Sequence, residues 1–285
     1  MRQKNSFPVV LGVLAAIILL ITSSLAAAEG LSPAQEAALF SLEDLGSVDV
    51  SPKRVVVEVY AFESPALASF HRLLPQAWEG VRHFYAHLGV LLEMVPGRPT
   101  PGNLEPGKRL RLEALPHKEW LNRTFAAFQV APPYQPRFMT VCRDKYAFAH
   151  LHLSTIHLDY RRFQDEICGR QPEESGRRPE MLAHLIIHEL GHLFGLYHAH
   201  EFVNDPIPEY LSDRRTPNFM SQHLVEPGGL GFVDFQKRLV HSYLGRGKVF
   251  RQYQAVDFDP LRYLELVKRH NRYREPSSEN PKGNK

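Results

Sequence analysis

Cysteine is scarce in this sequence. Only Cys142 and Cys168 occur in 285 residues. Two thiols cannot build a four-thiolate zinc site, nor the disulfide framework of a small secreted scaffold. One Cys142–Cys168 disulfide, or two free thiols, are the readings that remain. Charge of one sign is lacking too. The 34 Lys and Arg residues nearly cancel the 31 Asp and Glu, leaving +3, too little to make nucleic acid or an anionic membrane the main partner. There is no internal repeat, which excludes a solenoid. Beyond residue 28 no apolar run is long enough to span a bilayer.

What is there begins at the N-terminus. Arg2 and Lys4 precede an unbroken apolar run, Val9–Ile21, and small residues follow to Ala28. This is the pattern of a secretory signal peptide over 1–28, with Ala26 and Ala28 as an A-x-A cleavage site. An uncleaved anchor over 9–28 is the alternative, and the only route to a membrane that the sequence offers. Either reading predicts an exported protein, secreted or periplasmic. Residues 29–52 read as a linker or short propeptide, with a helix expected at Ala34–Leu42.

The whole chain is 44% hydrophobic and 23% charged, ordinary for a globular protein with a sizeable core, and its 22 prolines favour long irregular connections over a helix bundle. Arg54–Phe62 is β-branched and apolar and predicts a buried strand. Leu67–Leu88 repeats apolar residues at three or four, a helix that Gly89 ends; Val90–Val95 is the next strand. Arg109–Leu115 reads as a strand, Lys118–Phe128 as a short helix, and Arg137–Cys142 as a strand. In Tyr146–Tyr160 the alternation changes parity at Ser154-Thr155, which predicts a bulged strand or two short ones. Pro179 and Glu180 suit a helix start, and Met181–Phe194 is apolar nearly all round, as in a buried helix. Phe232–Leu244 is a further amphipathic helix. Leu261–Val267 reads as a last helix, followed by a polar, disordered tail to residue 285.

The buried helix carries HELGHLFGLYH, His188 to His198. Residues four apart lie one turn up on one helix face, so His188 and His192 can point two imidazoles at one ion. A continued helix would carry His198 ~9 Å beyond His192, out of reach of the same ion. Gly195 permits the chain to turn back and bring it in. Three neutral nitrogens leave zinc an open position for water, with Glu189 placed to act as general base. Polar residues on a solvated face would be the bland account, but this helix is apolar. A structural zinc is the other, yet structural sites are closed by four protein ligands. His184, one turn before His188, falls outside a ligand set that three histidines already fill.

HELGHLFGLYH resembles the zinc signature of the metzincin metallopeptidases, H-E-x-x-H-x-x-G-x-x-H. Such proteins place a methionine in a turn beneath the metal, which by resemblance is Met220, the only methionine after the signature. A plain core methionine is the alternative. The resemblance implies an α+β zinc peptidase domain over 53–250. Its parts would be a twisted, mostly parallel sheet with an antiparallel edge strand, a long active-site helix and a C-terminal helical subdomain, with 251–285 outside. It implies one catalytic Zn2+, ligands His188, His192 and His198, Glu189 as the catalytic base, and a polypeptide substrate. That substrate would lie along an edge strand at Ala147, Phe148, Ala149, His150 and Leu151 within Ala147–Leu153. His150 and His152 also raise a second metal reading, against a merely packed strand face. Ala199, directly after the signature, matches neither matrixins, astacins nor adamalysins. Gln222 stands where astacins have a tyrosine, and no cysteine precedes Cys142 to act as a matrixin-type switch. The subfamily stays open between matrixin-like and archaemetzincin-like. A zinc hydrolase of small peptides, or a silent zinc-containing binding domain, are the competing functions; intact Glu189 argues against the second. The basic residues Lys268, Arg269, Arg272 and Arg274 read as a solvated tail or as a contact for an acidic partner.

Overall fold

The computed structural model describes residues 39–40, 47–142, 145–168, 177–196, 198, 218–220, 231–232, 234–247 and 249–250. The chain divides into Met1–Leu39 and Phe40–Lys285. The signal segment, the Leu261–Val267 helix and the tail lie outside the described residues. Of the expected Ala34–Leu42 helix only Leu39–Phe40 is described, and it is extended. No helix among the described residues is long and apolar enough to cross a membrane.

The first strand, β1 (Lys53–Ala61), is followed by the long helix α1 (Ala68–His87) and by β2 (Val90–Pro96). The three- and four-residue spacing of α1 buries Phe70, Leu74, Trp78, Val81 and Tyr85, large side chains that contribute roughly 1.5–3 kcal/mol each on burial. Gly89, at φ +78°, makes the turn into β2. Then come β3 (Arg109–Leu115), α2 (His117–Ala127), α3 (Gln135–Cys142), β4 (Ala147–His150) and β5 (Thr155–Asp159). One helical turn, Tyr160–Phe163, runs into a π-helical segment ending at Cys168. Helix α4 spans Arg178–Leu193 and α5 spans Asp234–Arg246.

The five strands form one sheet in the order β2-β1-β3-β5-β4, parallel except for the antiparallel β4 edge. This is the expected α+β architecture, with its long helix and separate C-terminal helix. Strand alternation sorts the side chains into two populations. Val55, Val57, Leu110, Leu112, Ala114, Ile156, Leu158 and Ala147 share one core with α1 and α4. The intervening Glu58, Arg111, Glu113, His157 and Asp159 are also buried, facing the opposite way.

Two expectations change. Arg137–Cys142 is not a strand but part of α3. In that helix Phe138 is the fully buried side chain, packed with Val130, Phe125, Phe128 and Phe148; a short apolar run does not distinguish one anchored helix from a strand. The expected edge strand is also shorter, since Leu151–Leu153 is a 3-10 turn. Ser154 takes a left-handed φ of +52° and donates its N–H to Leu151 O at 3.1 Å. That residue is what flips the parity: the segment is two strands folded back on one another. Leu151 therefore leaves the edge strand. His150 and His152 share no strand face, because His150 is buried at the end of β4 and His152 is exposed in the turn.

Candidate metal centre

Helix α4 begins with Pro179, where a missing N–H costs nothing, and carries Glu180 at its positive end. Its apolar residues bury it on nearly every side, so polar groups along it need partners. His188 and His192 stand one turn apart. At the C-terminus, Gly195 N–H donates to His192 O at 3.0 Å and Leu196 N–H to Gly191 O at 2.9 Å. These are the two bonds of a Schellman turn, with Gly195 at φ +80°. The chain reverses there, and His198 returns to the helix face that it would otherwise have passed.

The result is a compact cluster of three imidazoles. His192 Nε2 lies 3.2 Å from His188 Nε2 and 3.2 Å from His198 Nε2, and the last two are 3.3 Å apart. Tetrahedral ligands at about 2.0–2.1 Å from zinc stand about 3.3–3.4 Å from each other. The donor set therefore fits a zinc-sized ion.

Ring tautomers strengthen the argument. His188 Nδ1 lies 2.6 Å from Phe219 O, and His192 Nδ1 lies 2.9 Å from Leu196 O. A carbonyl only accepts, so both Nδ1 atoms carry hydrogen and both Nε2 atoms present lone pairs. Burial, reinforced by the neighbouring imidazoles, holds His188 well below its ordinary range and brings His192 down to about 3. Neutral rings whose lone pairs converge repel one another unless a cation lies between them. The carbonyls that fix the rings are the outer shell expected of histidine ligands.

Glu189, one residue round the helix from His188, is buried, and burial pushes its carboxyl up to about 8. The Lys145 ammonium and the Ala149 N–H of β4, which hydrogen-bonds the carboxylate, act in the opposite sense. The edge strand thus touches the acidic group of the centre through its backbone.

Met220 is fully buried, in the short turn Asn218–Met220. Asn218 Oδ1 accepts the Met220 N–H at 2.8 Å, and the Asn218 amide pairs with Gln236 of α5 at 2.8 and 3.2 Å. The turn presents Phe219 O to His188 and packs the Met220 sulfur on Gly191, where an added Cβ would overlap Sδ. The C-terminal helix therefore reaches the metal centre through Gln236, Asn218 and one carbonyl.

Of the residues expected from sequence, His188, His192 and His198 converge, with Glu189, Gly195 and Met220 around them. Ala147–His150 forms the neighbouring edge. Cys142 and Cys168 end their helical segments, but their side chains lie outside the described set, as do Ala199 and Gln222. Sequence reasoning missed Gly191, whose place in HELGH marks it only as a variable position. It also missed Asn218, Gln236 and Lys145, which no motif signals. His184 is buried against the Phe219 ring, with Nε2 unbonded. No protein-family model matches the sequence, and no curated protein matches it.

Proposed function

We propose that the protein is an exported, zinc-dependent peptidase of the metzincin type, hydrolysing peptide bonds with Glu189 as general base. The observation that carries this reading is the convergence of three Nε2 lone pairs at zinc spacing beside the buried carboxyl of Glu189. His188, His192 and His198 would hold the ion. When bound, zinc would supply a Lewis acid that acidifies water and polarises a carbonyl.

The chain's own contribution is proton handling and placement. The Glu189 carboxylate takes the proton from the attacking water, holds it, and gives it to the nitrogen of the departing amine. The Ala149 N–H orients the carboxylate for both transfers. Strand β4 lies at the open edge of the sheet, where an extended polypeptide can add backbone hydrogen bonds. Export follows from the N-terminal pattern alone, so it belongs to the same proposal.

The test is a purified full-length protein assayed for bound zinc and for cleavage of unfolded proteins and short peptide libraries, beside Glu189→Ala. Cleavage that disappears in the variant while zinc stays supports the reading. Stoichiometric zinc with no hydrolysis of any polypeptide sinks it. Cleavage confined to dipeptides and tripeptides would favour the small-peptide hydrolase.

A further inference from the structure

Helix α1 carries three exposed histidines, His71, His83 and His87, which neither the core nor the metal centre uses. Two of them form a pair at the C-terminal end of the helix. His83 and His87 are four residues apart, one helical turn, which is the spacing that lets His188 and His192 face one point. The rings of His83 and His87 stand 4.3 Å apart between centres, at 70°. For His188 and His192 the figures are 4.8 Å and 87°. Two imidazoles bound to one ion at about 2.0–2.1 Å hold their ring centres roughly 4.5–5 Å apart. The exposed pair therefore needs only a small side-chain rotation to share an ion.

The tautomer is set as it is in the buried cluster. His87 Nδ1 lies 2.8 Å from His83 O. The carbonyl accepts, so Nδ1 carries the hydrogen and Nε2 of the neutral ring keeps its lone pair. A backbone carbonyl behind one ring nitrogen is the arrangement that orients the other toward a metal. The electrostatic setting suits a cation as well. His87 is the last residue of α1, where the helix dipole places partial negative charge. The adjacent guanidinium, Arg82, is turned to Glu79, with Nη2 on Oε1 at 2.6 Å and Nε on Oε2 at 3.2 Å. Its charge is thus matched on the side away from His87.

We propose that His83 and His87 form a metal site of their own on the exposed face of α1. They supply two nitrogen ligands to a divalent ion of the class that imidazole suits, Cu2+, Ni2+ or Zn2+, with Cu2+ held tightest. Water fills the other positions, so this site binds more weakly than one closed by three buried rings. It does not depend on the peptidase reading.

The test is calorimetric titration of the full-length protein with Ni2+ and with Cu2+, beside His83→Ala and His87→Ala. His71→Ala, a change to an exposed histidine of the same helix with no histidine one turn away, is the control. The parent should take up one ion per chain more than either pair variant, or hold that ion at least tenfold tighter. His71→Ala should match the parent, and circular dichroism should be the same in all four proteins. His87→Gln serves the comparison should an alanine variant fail to fold. Equal uptake and affinity in the parent and the pair variants overturns the proposal. An equal loss in His71→Ala overturns it too, because surface histidines would then bind ions singly rather than as a pair. A buried cluster that takes no ion would fail the peptidase reading and leave this comparison intact.

Discussion

Buried ionisable groups occur on both sides of the sheet, and they are satisfied in opposite ways. On the α2 side, Arg111 and Glu113 sit next to each other in space with side chains almost wholly buried, joined at 2.5 Å. Arg123 closes on the other Glu113 oxygen at 2.6 Å, and Glu58 draws in both Arg111, at 3.4 Å, and Arg109, at 2.7 Å. Arg111 also donates to the Arg98 carbonyl. Every charge there has a protein partner, as a buried ion pair must if it is not to destabilise the fold. On the α4 side, three imidazoles turn their Nε2 lone pairs toward each other. On one side the buried guanidiniums and carboxylates pair within the chain; on the other three Nε2 atoms converge where a metal ion could be held. A polar cluster that cannot satisfy itself is where chemistry is to be sought.

The comparison breaks most visibly if the proposed metal ion is withheld. Chelation, or His192→Ala, should abolish peptide cleavage. Metal present at 1,000 times its dissociation constant would stabilise the fold by ~4 kcal/mol, read as a melting transition that rises with added zinc. An unchanged transition would mean that no ion joins the three rings. On the other side, Glu113→Gln should leave Arg111 buried beside a neutral partner and cost about 3 kcal/mol in urea unfolding. Zinc stoichiometry should stay the same; a loss of zinc would show that the two clusters are coupled.

Gly191→Ala sharpens the contrast at the boundary of the metal centre. In an ordinary helix that change gains about 1 kcal/mol. Here the new Cβ meets the Met220 sulfur, and overpacking of this kind costs about 1–3 kcal/mol. A stabilised Gly191→Ala protein would mean that the Met220 turn does not press on the helix. The last effect is read in the metal-free protein. The Glu189 carboxyl, raised to about 8 when folded, binds a proton that the unfolded chain has released. Stability should therefore fall as pH rises from about 4.5 to 8, by up to about 1.4 kcal/mol per pH unit. His188 and His192, depressed when folded, act in the opposite sense, but only below about pH 6.5. Between pH 6.5 and 8 the decline belongs to Glu189, and Glu189→Gln should flatten it. An equal slope in both proteins would remove Glu189 from the low-dielectric side of the site.

Much of this contrast can be read from local pattern. The α1 and α4 helices follow from apolar spacing, and β1, β2 and β3 from short β-branched or apolar runs between turn residues. The three histidines and Gly195 follow from a spacing that makes sense only if the helix ends where glycine allows. The errors have the same root. Arg137–Cys142 is too short for its periodicity to choose between helix and strand, and the choice was made by Phe138 finding an aromatic cluster. Leu151 was assigned to a strand that Ser154 interrupts, because a left-handed serine is a rare conformation with no pattern to announce it. The ion-pair network was invisible for another reason: Glu58, Arg111 and Glu113 alternate with apolar residues, as on a half-solvated strand, and only the cover of the second sheet face buries them.

The sequence by itself determined the ligand set, because helix geometry converts the spacing His188, His192, Gly195 and His198 into convergence without reference to the rest of the chain. It determined the long helix for the same reason: periodicity is a local property, whereas the mostly parallel sheet was expected only through the resemblance and its strand order came from the structure. Tertiary structure alone decided that Phe219 O orients the His188 ring, that Gly191 must lack a side chain, that Gln236 anchors the turn holding Met220, and that the Ala149 N–H meets Glu189. Each of those contacts joins residues far apart in the chain. Their pairing is set by how the sheet, α4 and α5 pack, and no run of neighbouring residues carries that information.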